Sequence, residues 1–418
     1  MSNNVKLAVL GSNKLVTTIN SIVTEIFTGL SPSKIIILKE KTVEEDNELS
    51  GKMRELKEVL RYLNVNCEIE VKEIPAGFET WIKEVGKMDF DVIDITPGRK
   101  YMAIASYFSS KHSRYTYIKD ESKGYRIFGF IPFEEVEVWD LVKRQKIPLK
   151  PVNCEAEGDS KLNSEALTSL YNILSMHGEI GVKVKDEVNM ERVMKVDEID
   201  EEAKPCYLRS GIWIYKEERE LAKVISDQGG NLKLAFDTNM YVNLGRRIKD
   251  FGNVIPLESV YNELDRKVKL IQKNSLVKDK VFLLGMESYN EIHNVRPRRV
   301  GKQGGDVGIL EEIKEVRKEA GNLIFVTGDK TLAEKARVSN TIVMEFKEVE
   351  RTKEKTRIGE FLECLSRLYK VYLTLNDEEV VEIKYSASLG ITPHTSVKTL
   401  KRGLSYAKLL EGLSKLIN

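Results

Sequence analysis

Phe90-Asp91-Val92-Ile93-Asp94-Ile95-Thr96-Pro97-Gly98-Arg99-Lys100-Tyr101-Met102-Ala103 decides the fold of the first half of this chain. The apolar-rich run at 90–95 reads as a buried strand. Pro97-Gly98 reads as a turn. From Lys100 to Ser110 apolar residues recur at helical spacing. Working outward, the same strand-turn-helix order repeats upstream. Val5 to Leu10 is a strand, Gly11-Ser12-Asn13 a turn, and Asn13 to Phe27 a helix. Lys34 to Leu38 and Glu68 to Ile74 are further strands, with helices at 46–63 and 78–87. Tyr115 to Ile118 and Arg126 to Ile131 read as closing strands. Strands alternating with helices imply an α/β fold, a Rossmann-like, mostly parallel sheet.

In such sheets ligands sit at the carboxyl ends of the strands. That rule selects two loops. One is Gly11-Ser12-Asn13, after the first strand. The other holds Thr96, Gly98, Arg99 and Lys100, after the fourth. Amides at a helix start favour an anion, and Arg99 and Lys100 add positive charge. A phosphate-bearing ligand is expected. The first loop lacks Gly-x-Gly-x-x-Gly, so a dinucleotide cofactor is not expected.

Residues 151–230 read as a partly helical connecting module, with helices near Glu165 to Met176 and Lys216 to Ile225. Gly229-Gly230-Asn231 then breaks the chain. A second α/β segment starts with the strand Lys233 to Phe236, which ends at Asp237. Glu263 lies on a helix in PLESVYNELDRK. Asp306 opens a helix in GGDVGILEEI. Asp329 follows the strand of LIFVTGDKTLA. A lone Asp after a strand is more often a helix cap than a ligand. Four acids gathered at one sheet edge instead suit an oxygen-preferring cation such as Mg²⁺ or Mn²⁺. Such an ion activates water and neutralises charge on a phosphodiester. Arg296, Arg298, Arg299 and Lys302, just before Asp306, are expected to grip an RNA backbone. Arg246 and Arg247 form a second basic candidate. Tyr289 and His293 are candidates to stack on bases. A tail from 349 carries a helix, strands at 371–375 and 380–385, and a last helix from Ser396 to Leu416.

Over Leu232 to Phe346 the ordered acids, with AFDTN and VTGDKTLA around them, resemble the PIN domain family of metal-dependent ribonucleases. The resemblance implies that Asp237, Glu263, Asp306 and Asp329 bind the metal and carry catalysis. Thr327 would orient the last loop, and Asn239 would support Asp237. Over Val5 to Pro132, with ITPGRKYMA as its core, the chain resembles the CARF domain, the CRISPR-associated Rossmann fold. That resemblance implies a homodimer sharing a pocket for a cyclic oligoadenylate, tetra- or hexa-adenylate. Gly11, Ser12 and Asn13 would form one side of each half-site, and Thr96, Gly98, Arg99 and Lys100 the other. The implied layout is a sensing domain at 1–150, the connector at 151–230, a PIN-like nuclease domain at 231–348 and a C-terminal α/β extension at 349–418. The implied function is a ring-activated endoribonuclease of type III CRISPR antiviral defence.

Composition sets bounds on this. Of 418 residues, 66 are Lys or Arg and 65 are Asp or Glu, so no global basic charge marks a nucleic-acid binder. Contacts to a polyanion must come from local clusters. A charged share of 31% fits an ion-paired surface of the heat-adapted kind. Cys67, Cys154, Cys206 and Cys364 show no Cys-x-x-Cys spacing, so neither a zinc ribbon nor a disulfide framework is expected. A reducing, cytoplasmic setting follows. No apolar run reaches membrane length, and MSNNVKLAVLG lacks a secretory core. Two other readings stay open. One is a ligand-responsive, non-catalytic nucleic-acid-binding regulator. The other is a ring nuclease that degrades cyclic oligoadenylate, with Lys100 and Ser12 placing the phosphodiester. No Arg stands at the Arg-x4-His spacing of another effector nuclease. Asp377 with Glu382 and Lys384 imitates a PD-(D/E)xK ending, at too short a spacing.

Overall fold

The computed structural model describes residues 5–41, 47–120, 123–124, 126–186, 190–228, 232–272, 276–294, 305–386 and 394–417. The chain falls into two compact units, one of residues 1–182 and 372–418, the other of residues 183–371. The segments 151–230 and 349–418 are each divided between them.

Unit 1 starts with β1 (Val5–Leu10), α1 (Leu15–Phe27), β2 (Pro32–Glu40), α2 (Asn47–Tyr62), β3 (Glu68–Ile74), α3 (Phe78–Val85), β4 (Val92–Asp94), α4 (Lys100–Ser109), β5 (Ser113–Ile118), β6 (Val136–Asp140) and β7 (Gln145–Ile147). These strands form one sheet in the order β3-β2-β1-β4-β5-β6-β7. The first five are parallel, and β6 and β7 are added antiparallel. Successive strand side chains alternate between faces. Ala8, Leu10, Ile36, Leu38 and Ile93 pack on one face with Trp81, Val85, Met102 and Ala105 of α3 and α4. Leu7, Val9, Ile35 and Ile37 point the other way and are equally buried. Both faces are therefore covered, as parallel strands require.

The expected Rossmann-like parallel sheet is thus present, with two differences. Arg126 to Ile131 is a turn rather than a strand. Its apolar residues are used as a plug: Phe128 packs on Phe27 at 4.7 Å between ring centres. The closing strands are β6 and β7, whose more polar sequence hid them.

The chain continues with β8 (Ser160–Leu162), α5 (Ser164–Ser175), β9 (Ile180–Lys185), β10 (Glu191–Met194), α6 (Lys204–Ser210), β11 (Trp213–Tyr215) and α7 (Glu217–Gln228). The stretch 151–230 therefore carries four short strands as well as its helices. The core of unit 2 is β12 (Lys233–Phe236), α8 (Thr238–Leu244), α9 (Glu258–Lys269), α10 (Val277–His293), α11 (Asp306–Ala320), β13 (Leu323–Thr327), α12 (Lys330–Val338) and β14 (Ile342–Glu345). Strands β12, β13 and β14 are parallel neighbours in that order. β15 (Val349–Arg351) and α13 (Ile358–Leu368) follow.

Unit 1 resumes along β16 (Lys370–Leu375), β17 (Glu378–Ser386), β18 (His394–Thr399) and α14 (Tyr406–Ile417). Strands β9, β16, β17, β18 and β8 are neighbours in that order in a further sheet. Residues 394–399 are strand, not the start of the last helix. Asp377 is explained by a turn: Asn376 and Asp377, at φ 49° and 67°, link β16 to β17. Positive φ at both positions is the mark of a tight hairpin.

Cys206 on α6 and Cys364 on α13 form a disulfide, contrary to expectation. The partners lie 158 residues apart, so no local spacing announces the bond. Among the described residues no helix is long and apolar enough to cross a membrane.

Candidate functional site

In unit 1 the sheet order reverses between β1 and β4, which makes their carboxyl ends the switch point where ligands bind. Both expected loops lie there. After β4 the buried Asp94 accepts the Thr96 amide at 2.7 Å, an Asx turn that starts the reversal. Gly98, at φ +88°, completes it. An added Cβ there would lie 3.3 Å from Leu10 Cβ and 3.4 Å from the Met102 methyl. After β1, the Gly11 amide donates to Leu38 O at 2.7 Å. A Cβ on Gly11 would lie 2.5 Å from Lys39 Cγ. Gly98 is thus required by its positive φ, and Gly11 by its close approach to Leu38 O and the Lys39 side chain.

The loops close on a pocket of about 200 Å³ lined by Gly11, Ser12, Asn13, Lys39, Glu40, Gly98, Arg99 and Met102. Helices α1 and α4, which begin beside it, have no side-chain cap and no acid in the first turn. Their positive ends carry no built-in anion, which suits an anionic ligand. Arg99 is 62% exposed and pairs with Glu40 at 2.9 Å. Tyr101 also donates to Glu40, at 2.8 Å. Lys100 is exposed at the start of α4.

Thr96 also ties the loop to the sheet. Its hydroxyl accepts the Thr116 amide at 2.8 Å, tying the loop to β5. It lines a second cavity of about 320 Å³, with Thr17, Ser21, Thr24 and Thr116. Behind it, burial pushes the carboxyls of Asp94 and Glu25 up to about 6 and 7, and Arg114 opposes both shifts.

In unit 2, Asp237 and Asp329 end β12 and β13, adjacent parallel strands, and so share one sheet edge. Each is also a helix cap. Asp237 Oδ1 accepts the Met240 amide at 2.8 Å, and Asp329 Oδ1 accepts the Leu332 amide at 2.9 Å. Thr327 joins them: its hydroxyl donates to Asp237 Oδ2 and accepts the Asp329 amide at 3.0 Å. Glu263 on α9 accepts from the Thr238 hydroxyl at 2.8 Å and pairs with Lys267 at 2.9 Å. Thr238 thus connects α8 to the second acid, while Asn239, expected to support Asp237, is exposed.

Asp237 is only 2% exposed. Burial pushes its carboxyl up to about 6, the charges of Glu263 and Asp329 add to the shift, and the bonds from Thr327 and Met240 oppose it. Two of the other three expected acids therefore act on Asp237. Asp306 differs in character: it is half-exposed at the start of α11 and pairs with Lys335 at 3.4 Å. Among the described residues no group of three or more acids, histidines or cysteines stands placed to hold a metal ion. The donor set is nonetheless all oxygen, the chemistry that suits Mg²⁺ or Mn²⁺. The mutual repulsion acting on Asp237 is what a cation relieves.

Other expectations fare differently. Arg296, Arg298, Arg299 and Lys302 lie outside the described residues. Tyr289 is fully buried and donates to Leu257 O at 2.9 Å, so it is core and not a base platform. His293 contacts the Tyr241 hydroxyl at 2.7 Å, and burial lowers its pKa to about 4. Arg247 is spent on Leu208 O and Glu218. Arg246 pairs with Glu291 at 2.6 Å.

Sequence reading missed Glu312. Its buried carboxylate accepts the Glu258 amide at 2.8 Å, the Ser259 amide at 2.8 Å and the Ser259 hydroxyl at 2.7 Å. It caps α9 from α11 and so sets the helix that carries Glu263. Glu312→Ala strands these donors in the core, and the expected cost is about 2–4 kcal/mol. Urea unfolding of the full chain measures it. A loss below about 0.5 kcal/mol, the usual range for a surface substitution, would show that α9 does not depend on this cap.

No protein-family model matches the chain, and no curated protein matches it. Among solved structures it is similar to a type III CRISPR defence DNA nuclease activated by cyclic oligoadenylate. The two share 13% identity, the match covers 81% of this chain and 64% of that one, and the TM-score is 0.23. A likeness at that level carries no weight for fold or activity.

Proposed function

We propose that this chain is a metal-dependent endoribonuclease, switched on by a cyclic oligoadenylate, that serves type III CRISPR antiviral defence. The observation that carries the nuclease half is Asp237: a buried acid at a parallel-strand end, tied to Asp329 through the Thr327 hydroxyl and followed by the Thr238 that bonds Glu263. Capping α8 and α12 does not need the two acids to share one sheet edge, which supports a task beyond capping. The PIN-like order of Asp237, Glu263, Asp306 and Asp329 supports the same assignment.

Asp237, Glu263 and Asp329, with Asp306 released from Lys335, would have to close together on Mg²⁺ or Mn²⁺, which when bound would supply an activated water and neutralise charge on the phosphodiester. The remaining work falls to the chain. Thr327 aligns Asp237 with Asp329 through one hydroxyl. Thr238 holds Glu263 at the start of α8, next to Asp237, and Lys267 pairs with it along α9. Arg296, Arg298, Arg299 and Lys302 would bind the RNA backbone.

The sensing half rests on the pocket between the β1 and β4 loops. Its uncapped helices and its Arg99 suit a phosphate-bearing ligand, in keeping with the CARF-like ITPGRKYMA. Helix α4, which starts at that loop, leaves Ile104, Tyr107 and Phe108 exposed by 49, 39 and 68%. A second copy covering this face would make the homodimer and bring two pockets together.

The test is to incubate the full chain with single-stranded RNA and Mn²⁺, with and without cyclic tetra-adenylate or cyclic hexa-adenylate. Cleavage appearing only with one ring is the expected result. Ring binding without cleavage of any RNA would overturn the nuclease half and favour a non-catalytic regulator. Loss of the ring itself would favour a ring nuclease.

A further inference from the structure

We infer that Glu40 is the group by which the unit 1 pocket recognises a ribose hydroxyl, so that the pocket selects ribonucleotides over deoxyribonucleotides. This rests on the nucleotide-sensing reading above and adds what that reading leaves open, the chemistry that tells one nucleotide from another.

Three observations lead there. The first is the position of Glu40. It ends β2, the parallel neighbour of β1 in the sheet. The Gly11 loop and the end of β2 meet through the bond from the Gly11 amide to Leu38 O. In dinucleotide-binding sheets, whose glycine fingerprint this chain lacks, an acid following the first phosphate loop accepts from the ribose hydroxyl, and Glu40 stands beside the corresponding loop here.

The second is the misfit with a phosphate-only site. Glu40 lines the same pocket as Arg99 and the glycine loops. A carboxylate facing a phosphate is repelled. Glu40 can hold Arg99 and Tyr101 in any pocket, but only a ligand with a hydroxyl donor gains from the carboxylate itself.

The third is how the carboxylate is held. Its side chain is only 12% exposed, with Arg99 on Oε2 at 2.9 Å and Tyr101 on Oε1 at 2.8 Å. An ionised carboxylate offers about four acceptor positions. The two bonds fix its direction and leave capacity for a ligand hydroxyl. Arg99 also offsets its charge, so that a neighbouring phosphate is tolerated.

The experiment is calorimetric titration of the full chain with cyclic tetra-adenylate, cyclic hexa-adenylate and their all-2′-deoxy counterparts. Wild type is expected to bind its ribo ring on the order of 10- to 100-fold more tightly than the deoxy ring, the scale of one hydrogen bond to a charged group. In Glu40→Gln the preference falls to within about threefold, while deoxy-ring affinity holds or rises because the repulsion has gone. Thermal melting of both proteins confirms the fold. A Glu40→Gln variant that keeps the wild-type preference overturns the assignment. So does a wild type that binds ribo and deoxy rings alike, an outcome that needs no variant. A wild type that binds neither ring overturns the sensing reading itself, and this assignment with it.

Discussion

Asp237→Asn is expected to lower ring-activated RNA cleavage by on the order of 10² to 10³, the usual effect of deleting one charge-stabilising group. It is also expected to make the metal-free protein more stable at pH 7.5. The second expectation comes from the sign of the shift. An ordinary Asp titrates near pH 4, and burial holds Asp237 up to about 6. Between those values the folded chain keeps a proton that the unfolded chain has released. Stability therefore falls as pH rises through that window, by about 3 kcal/mol. Asn carries no charge, so the variant escapes this loss. Its amide oxygen still caps α8 at the Met240 amide, although its bond to Thr327 must reverse. Melting in EDTA at pH 7.5 and pH 4 checks the result. The variant should gain on wild type at pH 7.5 and lose that lead at pH 4. A variant less stable at both pH values would mean that Asp237 is a structural cap and no more. Stability gained together with activity lost is the signature of a group placed for function.

How far the sequence reveals all this depends on whether a feature is local. The Pro97-Gly98 turn is legible because Asp94, Thr96 and Gly98 act within five residues of one another. The caps at Asp237 and Asp329 are legible for the same reason, each lying three residues before the amide it accepts. Glu40 and Lys39 were not read as pocket residues. They belong to a strand whose place beside β1 is a property of sheet order, not of neighbouring sequence. Glu312 was hidden because its partners precede it by 53 and 54 residues. The Cys206–Cys364 bond was hidden by a still longer separation. Arg126 to Ile131 misled because a buried apolar turn and a buried strand have the same composition. Thr96 was legible only in part. Its hydroxyl also accepts the amide of β5, a partner that pattern reading cannot see.

Gly98→Val is expected to weaken ring binding by at least about 100-fold, leaving cleavage unresponsive at ring concentrations that saturate wild type. Two costs combine. The native φ of +88° lies where a β-branched residue is disfavoured. Holding a non-glycine residue in such a region costs about 1–3 kcal/mol. The new Cβ would also lie 3.3 Å from Leu10 Cβ, tighter than ordinary van der Waals contact, and its methyls add further crowding against Leu10 and Met102. The turn can relieve both only by changing path, which moves Arg99 and the first amides of α4 away from the pocket. Gly51→Ala is the matched control. Gly51 lies inside α2, and a Cβ there meets nothing within 4 Å. That substitution should leave ring affinity within twofold or so and raise stability by roughly 0.5–1 kcal/mol through helix propensity. Titration with the activating ring separates the two variants. Wild-type affinity in Gly98→Val would place the ligand elsewhere, with the cavity beside Thr96 and Thr116 the next to probe. Loss of affinity in both variants would trace instead to a general loosening of unit 1. Only loss confined to Gly98→Val ties ligand recognition to the turn that Asp94, Pro97 and Gly98 build.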